Sequence, residues 1–250
     1  MISVKDLTVA FGDRAVLDGI DLEVPRGEVL ALLGKNGSGK TVLLKAIAGL
    51  IPDYKGNVRV GGIEMREYHG DDVASSLGGE GPRIAYVFQK GGLFDSMNVY
   101  DNVAFGVRRA AELHDGEGAV TEALRRVGLA GNDDRLPSEL SGGMRKRVGL
   151  ARAICLNPEV ILYDDPTAGL DPILSDSIAD LMLEITGTYH STSIVVTHDL
   201  RVAEKTAGRV ALLYGGKIVF DGAATAFFSG EDPYARQFLE GDTEGPIDMY

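Results

Sequence analysis

The sequence has little that would support a disulfide, a transmembrane helix or a zinc site. Its 250 residues contain one cysteine, Cys155, which excludes an internal disulfide. Cys155 falls on the apolar face of a predicted helix, so we expect a buried small hydrophobe rather than a nucleophile. The longest apolar runs are only a few residues, far below the ~20 that a membrane-spanning helix needs. No cluster of cysteine and histidine suggests zinc.

Basic residues are also scarce. The 25 Lys and Arg residues are outnumbered by 37 Asp and Glu residues, which gives a formal net charge of −12. Nucleic-acid backbones are bound by clustered basic residues, so we expect no nucleic-acid partner. Because Met1–Lys5 already has a strand-like pattern, we expect no cleavable leader. We therefore expect a cytoplasmic protein that reaches a membrane only through a partner.

Hydrophobic periodicity predicts an α/β fold. Alternating segments at Ile2–Phe11 and Ala15–Val24 predict two strands around a turn, and the continuous apolar run Val29–Leu33 predicts a strand buried on both faces. Helical spacing over Tyr100–Arg135 predicts a helical insertion, and Gly61–Pro82 is predicted to be a mobile surface loop. The other predicted strands are Val58–Val60, Arg83–Phe88, Val160–Tyr163, Ser193–Thr197, Arg209–Tyr214 and Lys217–Phe220. Alternating strands and helices indicate a mainly parallel sheet, with a smaller antiparallel portion contributed by the first two strands.

One stretch fits the pattern G-x-x-x-x-G-K-[ST] and lies between a predicted strand and a predicted helix. Its residues are Gly34, Lys35, Asn36, Gly37, Ser38, Gly39, Lys40 and Thr41. Such a loop binds a polyphosphate through backbone N–H groups and the positive end of the helix dipole. Lys40 is predicted to reach the β- and γ-phosphates, and Thr41 to give its hydroxyl to Mg²⁺.

Two carboxylates follow the apolar strand Val160–Tyr163. In open α/β sheets, ligands bind beyond the carboxyl ends of the strands, so Asp164 is a candidate for the Mg²⁺ shell. Asp165 is then the group nearest the attacking water. The alternative is that the two acids only begin a turn before Pro166.

A second anion site is predicted at Leu140–Met144. Ser141 is a good helix N-cap, and Gly142 and Gly143 leave the start of the following helix sterically open. By itself such a turn is more often a simple helix cap than a ligand site.

Together these residues resemble the ATP-binding subunit of ATP-binding-cassette (ABC) transporters over nearly the whole chain, which implies a P-loop NTPase fold of ABC type. Leu140–Met144 is similar to the family signature, Gln89 to the glutamine of the Q-loop and His198 to the switch histidine. Ala168–Asp171 is similar to the D-loop. Phe11 lies where the family stacks an aromatic ring on adenine, although it could also be a core residue.

The resemblance implies site roles and partners. Asp165, His198 and Gln89 would serve catalysis, and Thr41, Gln89 and Asp164 would hold Mg²⁺. Two copies would close head to tail over ATP, so that the signature of one faces the phosphate loop of the other. A membrane permease would dock on the helical insertion.

The implied architecture is a single ABC ATPase domain over residues 1–250. Its core would comprise residues 1–90 and 156–230, with an antiparallel β portion. Residues 91–155 would form the helical subdomain that carries the signature, and residues 231–250 a C-terminal tail. The tail could latch onto a neighbouring subunit or be loosely held.

Finer similarities lie within Gly91–Phe94, Met97–Phe105, Ser141–Arg147 and Gln237–Gly241. They resemble the subunits that serve Mce-type lipid transporters, of which the Mla system is one. This implies a phospholipid cargo and an MCE-domain partner. The alternatives are the ATPase of a small-solute importer and a weakly hydrolysing nucleotide-gated switch.

The sequence departs from the family at Asp165, where the family usually has glutamate. Aspartate is one methylene shorter, and a misplacement of about 1 Å can cost on the order of 10²-fold in rate. We therefore expect ATP hydrolysis that is reduced but not abolished.

Overall fold

The computed structural model describes residues 1–68, 81–109 and 116–248. The chain divides into two compact units, Met1–His69 with Thr192–Tyr250 and Gly70–Ser191. In chain order the elements are β1 (Ile2–Phe11), β2 (Arg14–Val24), β3 (Val29–Gly34), α1 (Lys40–Ile47), β4 (Lys55–Val60), β5 (Ile63–Glu64), β6 (Ile84–Val87), α2 (Val99–Arg109), α3 (Gly116–Arg126), α4 (Gly142–Ile154), β7 (Val160–Asp164), α5 (Pro172–Tyr189), β8 (Thr192–Val196), α6 (Leu200–Thr206), β9 (Arg209–Tyr214), β10 (Lys217–Ala223), α7 (Ala224–Phe228) and α8 (Pro233–Glu240). A 3-10 helix covers Pro137–Glu139.

In the first unit, β2, β1, β4 and β5 form an antiparallel sheet in that order. Val4 and Leu7 of β1 are three residues apart, so a regular strand would point them to opposite faces. Both are buried because the register shifts between them, where Asp6 adopts a φ of 49°. The backbone N–H of Asp6 donates to Asp21 Oδ1 at 2.9 Å. A β-bulge at Asp6 therefore shifts the alternation of buried and exposed side chains, so that Val4 and Leu7 are both buried.

The loop predicted over Gly61–Pro82 is wrong for its first residues. Ile63 pairs with Val60 across a two-residue turn, and Met65 is fully buried. The turn consists of Gly61 and Gly62, which both have positive φ, as tight hairpins require. Glycine is typical of loops, but here two glycines close a hairpin. Residues 69–80 of the predicted loop lie outside the described residues.

The parallel strands of the first unit position two of the predicted site segments. β3 lies between β8 and β9 and runs parallel to both, and Leu30–Leu33 are fully buried. Leu32 lies opposite Val196. Because β3 and β8 are parallel, the loop after Gly34 and the residue His198 follow strand ends at the same edge of the sheet.

In the second unit, β6 pairs in parallel with β7, and α2, α3 and α4 pack against one another. The helical spacing predicted over residues 100–135 corresponds to α2 and α3, while residues 110–115 lie outside the described residues. Cys155 follows α4 and is buried, which raises the pKa of its thiol to about 11. The prediction of a buried core cysteine is confirmed. Across the described ranges, no helix combines the length and apolarity needed to span a bilayer.

The described part of the tail packs on its own unit. Ile247 is buried beside Phe227 and Ala235. The buried side chain of Gln237 accepts from the Ile247 N–H at 2.6 Å and donates to the Ile247 carbonyl at 2.9 Å. Tyr214 Oη accepts from the Asp248 N–H at 2.6 Å. A loosely held tail is therefore wrong for residues 233–248, because one buried amide pairs with both polar backbone groups of Ile247.

Candidate functional site

The residues predicted for the site fall in both units. The first unit contains Phe11, Gly34–Thr41 and His198. The second contains Gln89, Ser141, Gly142, Gly143, Asp164 and Asp165.

Glycine is required at both ends of the phosphate loop between β3 and α1. Gly34 has a φ of 148°, and a Cβ there would lie 2.3 Å from the carbonyl oxygen of Leu213. Gly39 has a φ of 105° and directly precedes α1, where a Cβ would lie 2.8 Å from Leu17 Cδ2. Both positions exclude a side chain through backbone conformation and crowding. The loop therefore depends on these glycines for its path from strand to helix.

Lys40 lies folded back over this loop. Its side chain is 9% exposed, and Nζ donates to the carbonyl oxygens of Gly34 at 2.7 Å and Lys35 at 2.9 Å. Ser38 Oγ is buried, and no described residue forms a hydrogen bond with it. A fixed ammonium beside a buried hydroxyl that still needs a partner suits a phosphate group. Thr41, in the first turn of α1, is exposed and could give its hydroxyl to a Mg²⁺ ion.

A cleft with an empty volume of about 910 Å³ adjoins this loop. Its wall includes Lys35–Ser38, Val16 and Tyr214–Gly216. Phe11, at the end of β1, has 56% of its surface exposed. It is therefore not a core residue, and the reading as an adenine-stacking ring stays a prediction.

In the second unit, β7 ends in the predicted acid pair. Val87 of β6 lies opposite Tyr163 of β7, so the two parallel strands end side by side. Tyr86 Oη donates to Asp164 Oδ2 at 2.9 Å, and Asp164 is 9% exposed. Burial, reinforced by the Asp164 carboxylate, raises the pKa of Tyr86 far above its ordinary value. Tyr86 therefore stays protonated and remains a hydrogen-bond donor to Asp164.

Gln89 and Asp165 lie in contact, next in the chain to the residues around the Tyr86–Asp164 bond. Gln89 Nε2 donates to Asp165 Oδ2 at 3.3 Å. Asp165 adopts a φ of 52°, in the left-handed region that aspartate enters more readily than most residues. A simple turn before Pro166 would not require an amide from the loop after β6 to hold the carboxylate. The contact therefore supports a role for both side chains in one site.

Lys146 of α4 contacts the backbone of both residues. Its Nζ donates to the Gln89 carbonyl and, at 3.4 Å, to the Asp165 carbonyl. Burial lowers the pKa of this ammonium, and the Asp165 carboxylate opposes that shift. The sequence prediction missed Lys146 and Tyr86. A lysine on the buried face of a predicted helix was an available signal for Lys146, whereas nothing marked Tyr86 apart from its place on a strand.

The signature turn is a helix N-terminus with little around it. Ser141 Oγ accepts from the Met144 N–H at 3.2 Å, which confirms the predicted cap of α4. A Cβ at Gly142 would meet Leu170 at an ordinary 3.7 Å, so packing within the unit does not require glycine there. Gly142 also lines a cavity with an empty volume of about 1020 Å³, together with Gln89. The open turn and Gln89 therefore line the same space.

His198 is exposed, two residues beyond the end of β8. The next residue, Asp199, caps α6 by accepting from the N–H groups of Arg201 and Val202. Asp171 caps α5 in the same way, which fixes the end of the predicted D-loop. The Asp199 cap fixes the backbone directly after His198, whose side chain is exposed.

Comparisons with known proteins agree with this geometry. The profile of the family described as ABC transporter matches residues 17–168. The probable ribonucleotide transport ATP-binding protein mkl of Mycobacterium leprae is 38% identical over 250 residues, covering 99% of this chain and 71% of the relative. The intermembrane phospholipid transport system ATP-binding protein MlaF of Escherichia coli K12 is 37% identical over 249 residues, covering 99% and 91%. The dimeric post-hydrolysis structure of the ATP-binding cassette MJ0796 with ADP and Pi superimposes with a TM-score of 0.79 at 26% identity, covering 90% of this chain and 99% of that one. The chain belongs to the ABC transporter family, as the ATP-binding ATPase subunit of a transporter.

Proposed function

We propose that the chain hydrolyses ATP at composite sites formed by two head-to-tail copies and so drives phospholipid movement through separate membrane subunits. The observation that carries the ATP site is the loop from Gly34 to Thr41, with Lys40 held over it. The dimeric MJ0796 cassette, bound to ADP and Pi, supports the assembly. In such a dimer the open turn at Ser141 would close over the nucleotide of the partner.

The side chains would then divide the work. Thr41, Gln89 and Asp164 supply oxygens that suit Mg²⁺, which usually takes few protein ligands and several phosphate or water oxygens. Bound with ATP, Mg²⁺ would neutralise charge on the phosphates. Asp165 would orient the attacking water, and His198 would contact the γ-phosphate. Phe11 would stack on adenine.

The ATP site is tested with Lys40→Ala. Removing the ammonium should weaken binding of a fluorescent ATP analogue by at least about tenfold, because charge-assisted bonds to phosphate are lost. Lys45→Ala is the control, since Lys45 lies on the same helix, one turn further along. Equal affinity of the two variants for the analogue would refute the assignment of the loop. The proposed head-to-tail dimer is tested with Asp165→Asn, which should dimerise when ATP is added. Adding Ser141→Arg to this variant should abolish the dimer.

Phospholipid is the proposed cargo because MlaF, which is named as a phospholipid transport subunit, matches this chain over 91% of its own length. The segments Gly91–Phe94 and Met97–Phe105 resemble the same group. An MCE-domain protein and a permease are the proposed partners, with residues 91–155 as the permease-binding portion. We place the protein at the inner face of the cell membrane through that permease.

The mkl relative supports a second candidate, a transporter of small polar solutes, because it is named as a probable ribonucleotide transport protein. Purifying the chain with its native partners and identifying proteins and bound lipid by mass spectrometry separates the two. An MCE-domain protein with bound phospholipid supports the lipid transporter. A solute receptor without lipid supports the alternative, and the absence of any permease would favour a nucleotide-gated switch.

A further inference from the structure

Helix α4 holds the loop that follows β6 through its basic side chains. Arg152 donates to the carbonyl oxygens of Gly92 at 2.7 Å and Gly91 at 3.0 Å. The helix also approaches closely at Gly149, where a Cβ would lie 3.1 Å from the Gly91 carbonyl oxygen. The carbonyls of residues 89, 91 and 92 thus all face α4, which begins at the signature turn.

Lys146 differs from Arg152 because it reaches beyond this loop. The Lys146 ammonium donates to the Gln89 carbonyl and, at 3.4 Å, to the Asp165 carbonyl. The Gln89 side chain in turn donates to the Asp165 carboxylate at 3.3 Å. Lys146 is 7% exposed and its two bonds are partly buried, whereas the bond between the Gln89 and Asp165 side chains is exposed. The three residues close a ring in which both the backbone and the carboxylate of Asp165 are held.

We infer that Lys146 is a positioning residue for hydrolysis, which holds Gln89 and Asp165 together and compensates in part for the short aspartate side chain. The inference rests on the proposed function, in which Asp165 orients the attacking water. An aspartate has fewer rotatable bonds than glutamate, so its carboxylate position depends more directly on its backbone. The Lys146 bond acts on that backbone, at the carbonyl of a residue in the left-handed region.

The inference also links the signature to the site of hydrolysis within one copy of the chain. Ser141 caps α4, and Lys146 leaves the same helix at its second turn. Displacement of the helix start would therefore be transmitted to Gln89 and Asp165 through one side chain. Because Lys146 contacts both Gln89 and Asp165 directly, this coupling needs no further intermediate residue.

The test is Lys146→Met in the full chain, purified with its native partners. We expect kcat for ATP hydrolysis to fall by about 10- to 100-fold, since small misplacements of a catalytic group are costly. The KM for ATP should stay within about twofold, because the hydrogen bonds described for Lys146 go to the carbonyls of Gln89 and Asp165, which are proposed to act in hydrolysis. Lys146→Arg, which retains a buried cation, should recover part of the lost rate.

Arg152→Met is the matched control, because Arg152 holds the same loop without contacting Asp165. Hydrogen exchange over residues 88–92 should accelerate in both variants, whereas only Lys146→Met should lose most of its kcat. Equal loss of kcat in the two would show that Lys146 merely keeps the loop folded, and would overturn the inference. So would a Lys146→Met enzyme with wild-type kcat.

A double-mutant cycle with Asp165→Asn separates this inference from the proposed function. If Lys146 acts through Asp165, Lys146→Met should cause no further loss in the Asp165→Asn background. An equal further loss there would refute the positioning role while leaving Asp165 in place. Full activity of Asp165→Asn alone would instead refute the proposed role of Asp165, and the inference with it.

Discussion

Tyr86 Oη donates a 2.9 Å hydrogen bond to Oδ2 of Asp164, across the parallel pair β6 and β7. Asp164 is buried at a strand end, where an ionised carboxylate needs donors to replace water. Tyr163, the residue before it, is also fully buried, but its hydroxyl has no partner among the residues described. The Tyr86 hydroxyl should therefore stabilise the fold, whereas the Tyr163 hydroxyl should slightly destabilise it.

Tyr86→Phe should lower the free energy of unfolding by about 1–3 kcal/mol, because it removes a hydrogen bond to a buried carboxylate. Tyr163→Phe should leave stability unchanged or slightly raised, since the hydroxyl that it removes is already unsatisfied. Urea unfolding of both variants measures the difference. Equal destabilisation would contradict the contribution of the Tyr86–Asp164 bond.

Asp165→Glu tests whether the short carboxylate limits turnover. Glutamate would extend the carboxylate by one methylene, so we expect phosphate release by the assembled complex to increase. The variant should also lose a little stability, because glutamate enters the left-handed region less readily than aspartate. Turnover that stays unchanged or falls would show that Asp165 is not a handicapped group.

The features of the site that could be predicted from the sequence are those that depend on a local backbone conformation. Glycine at positions 34 and 39 could be inferred, because a loop from strand to helix needs residues without Cβ atoms. Ser141 could be inferred as a cap from its place before a helix. Such features depend on residues close together in the chain, so their spacing is visible without the fold.

The residues that were missed depend on long-range contacts. Lys146 meets Gln89 across 57 positions, and Tyr86 meets Asp164 across 78. Neither distance leaves a periodic trace in the sequence. The packing of the tail is also missed by sequence patterns, although Gln237 and Ile247 are only ten residues apart. Their side-chain to backbone contact forms because residues 241–246 turn the chain back. Sequence patterns therefore predicted elements and local caps, but not the pairs of side chains that join separate strands and helices.

Gly34→Ala should abolish ATP binding and destabilise the first unit. Its Cβ would lie 2.3 Å from the Leu213 carbonyl oxygen, which is backbone and cannot move aside cheaply. Gly27→Ala is the control, because Gly27 also has a positive φ, of 78°, but has open space around it. We expect Gly27→Ala to cost only about 1 kcal/mol of backbone strain and to retain ATP affinity. Titration with a fluorescent ATP analogue and thermal unfolding separate the two; equal effects would mean that crowding at Gly34 is unimportant.

The tail offers a last test, of whether it belongs to its own unit or serves only as a latch. Ile247 is 5% exposed, so Ile247→Ala should lower the free energy of unfolding by about 2–4 kcal/mol in the isolated chain. Glu244→Ala, on the exposed part of the same turn, should have little effect. Deleting residues 241–250 should destabilise the chain at least as much as Ile247→Ala, at concentrations too low for dimers. If the deletion instead lowers stability only when dimers form, the tail acts between subunits, and its packing on its own unit contributes little.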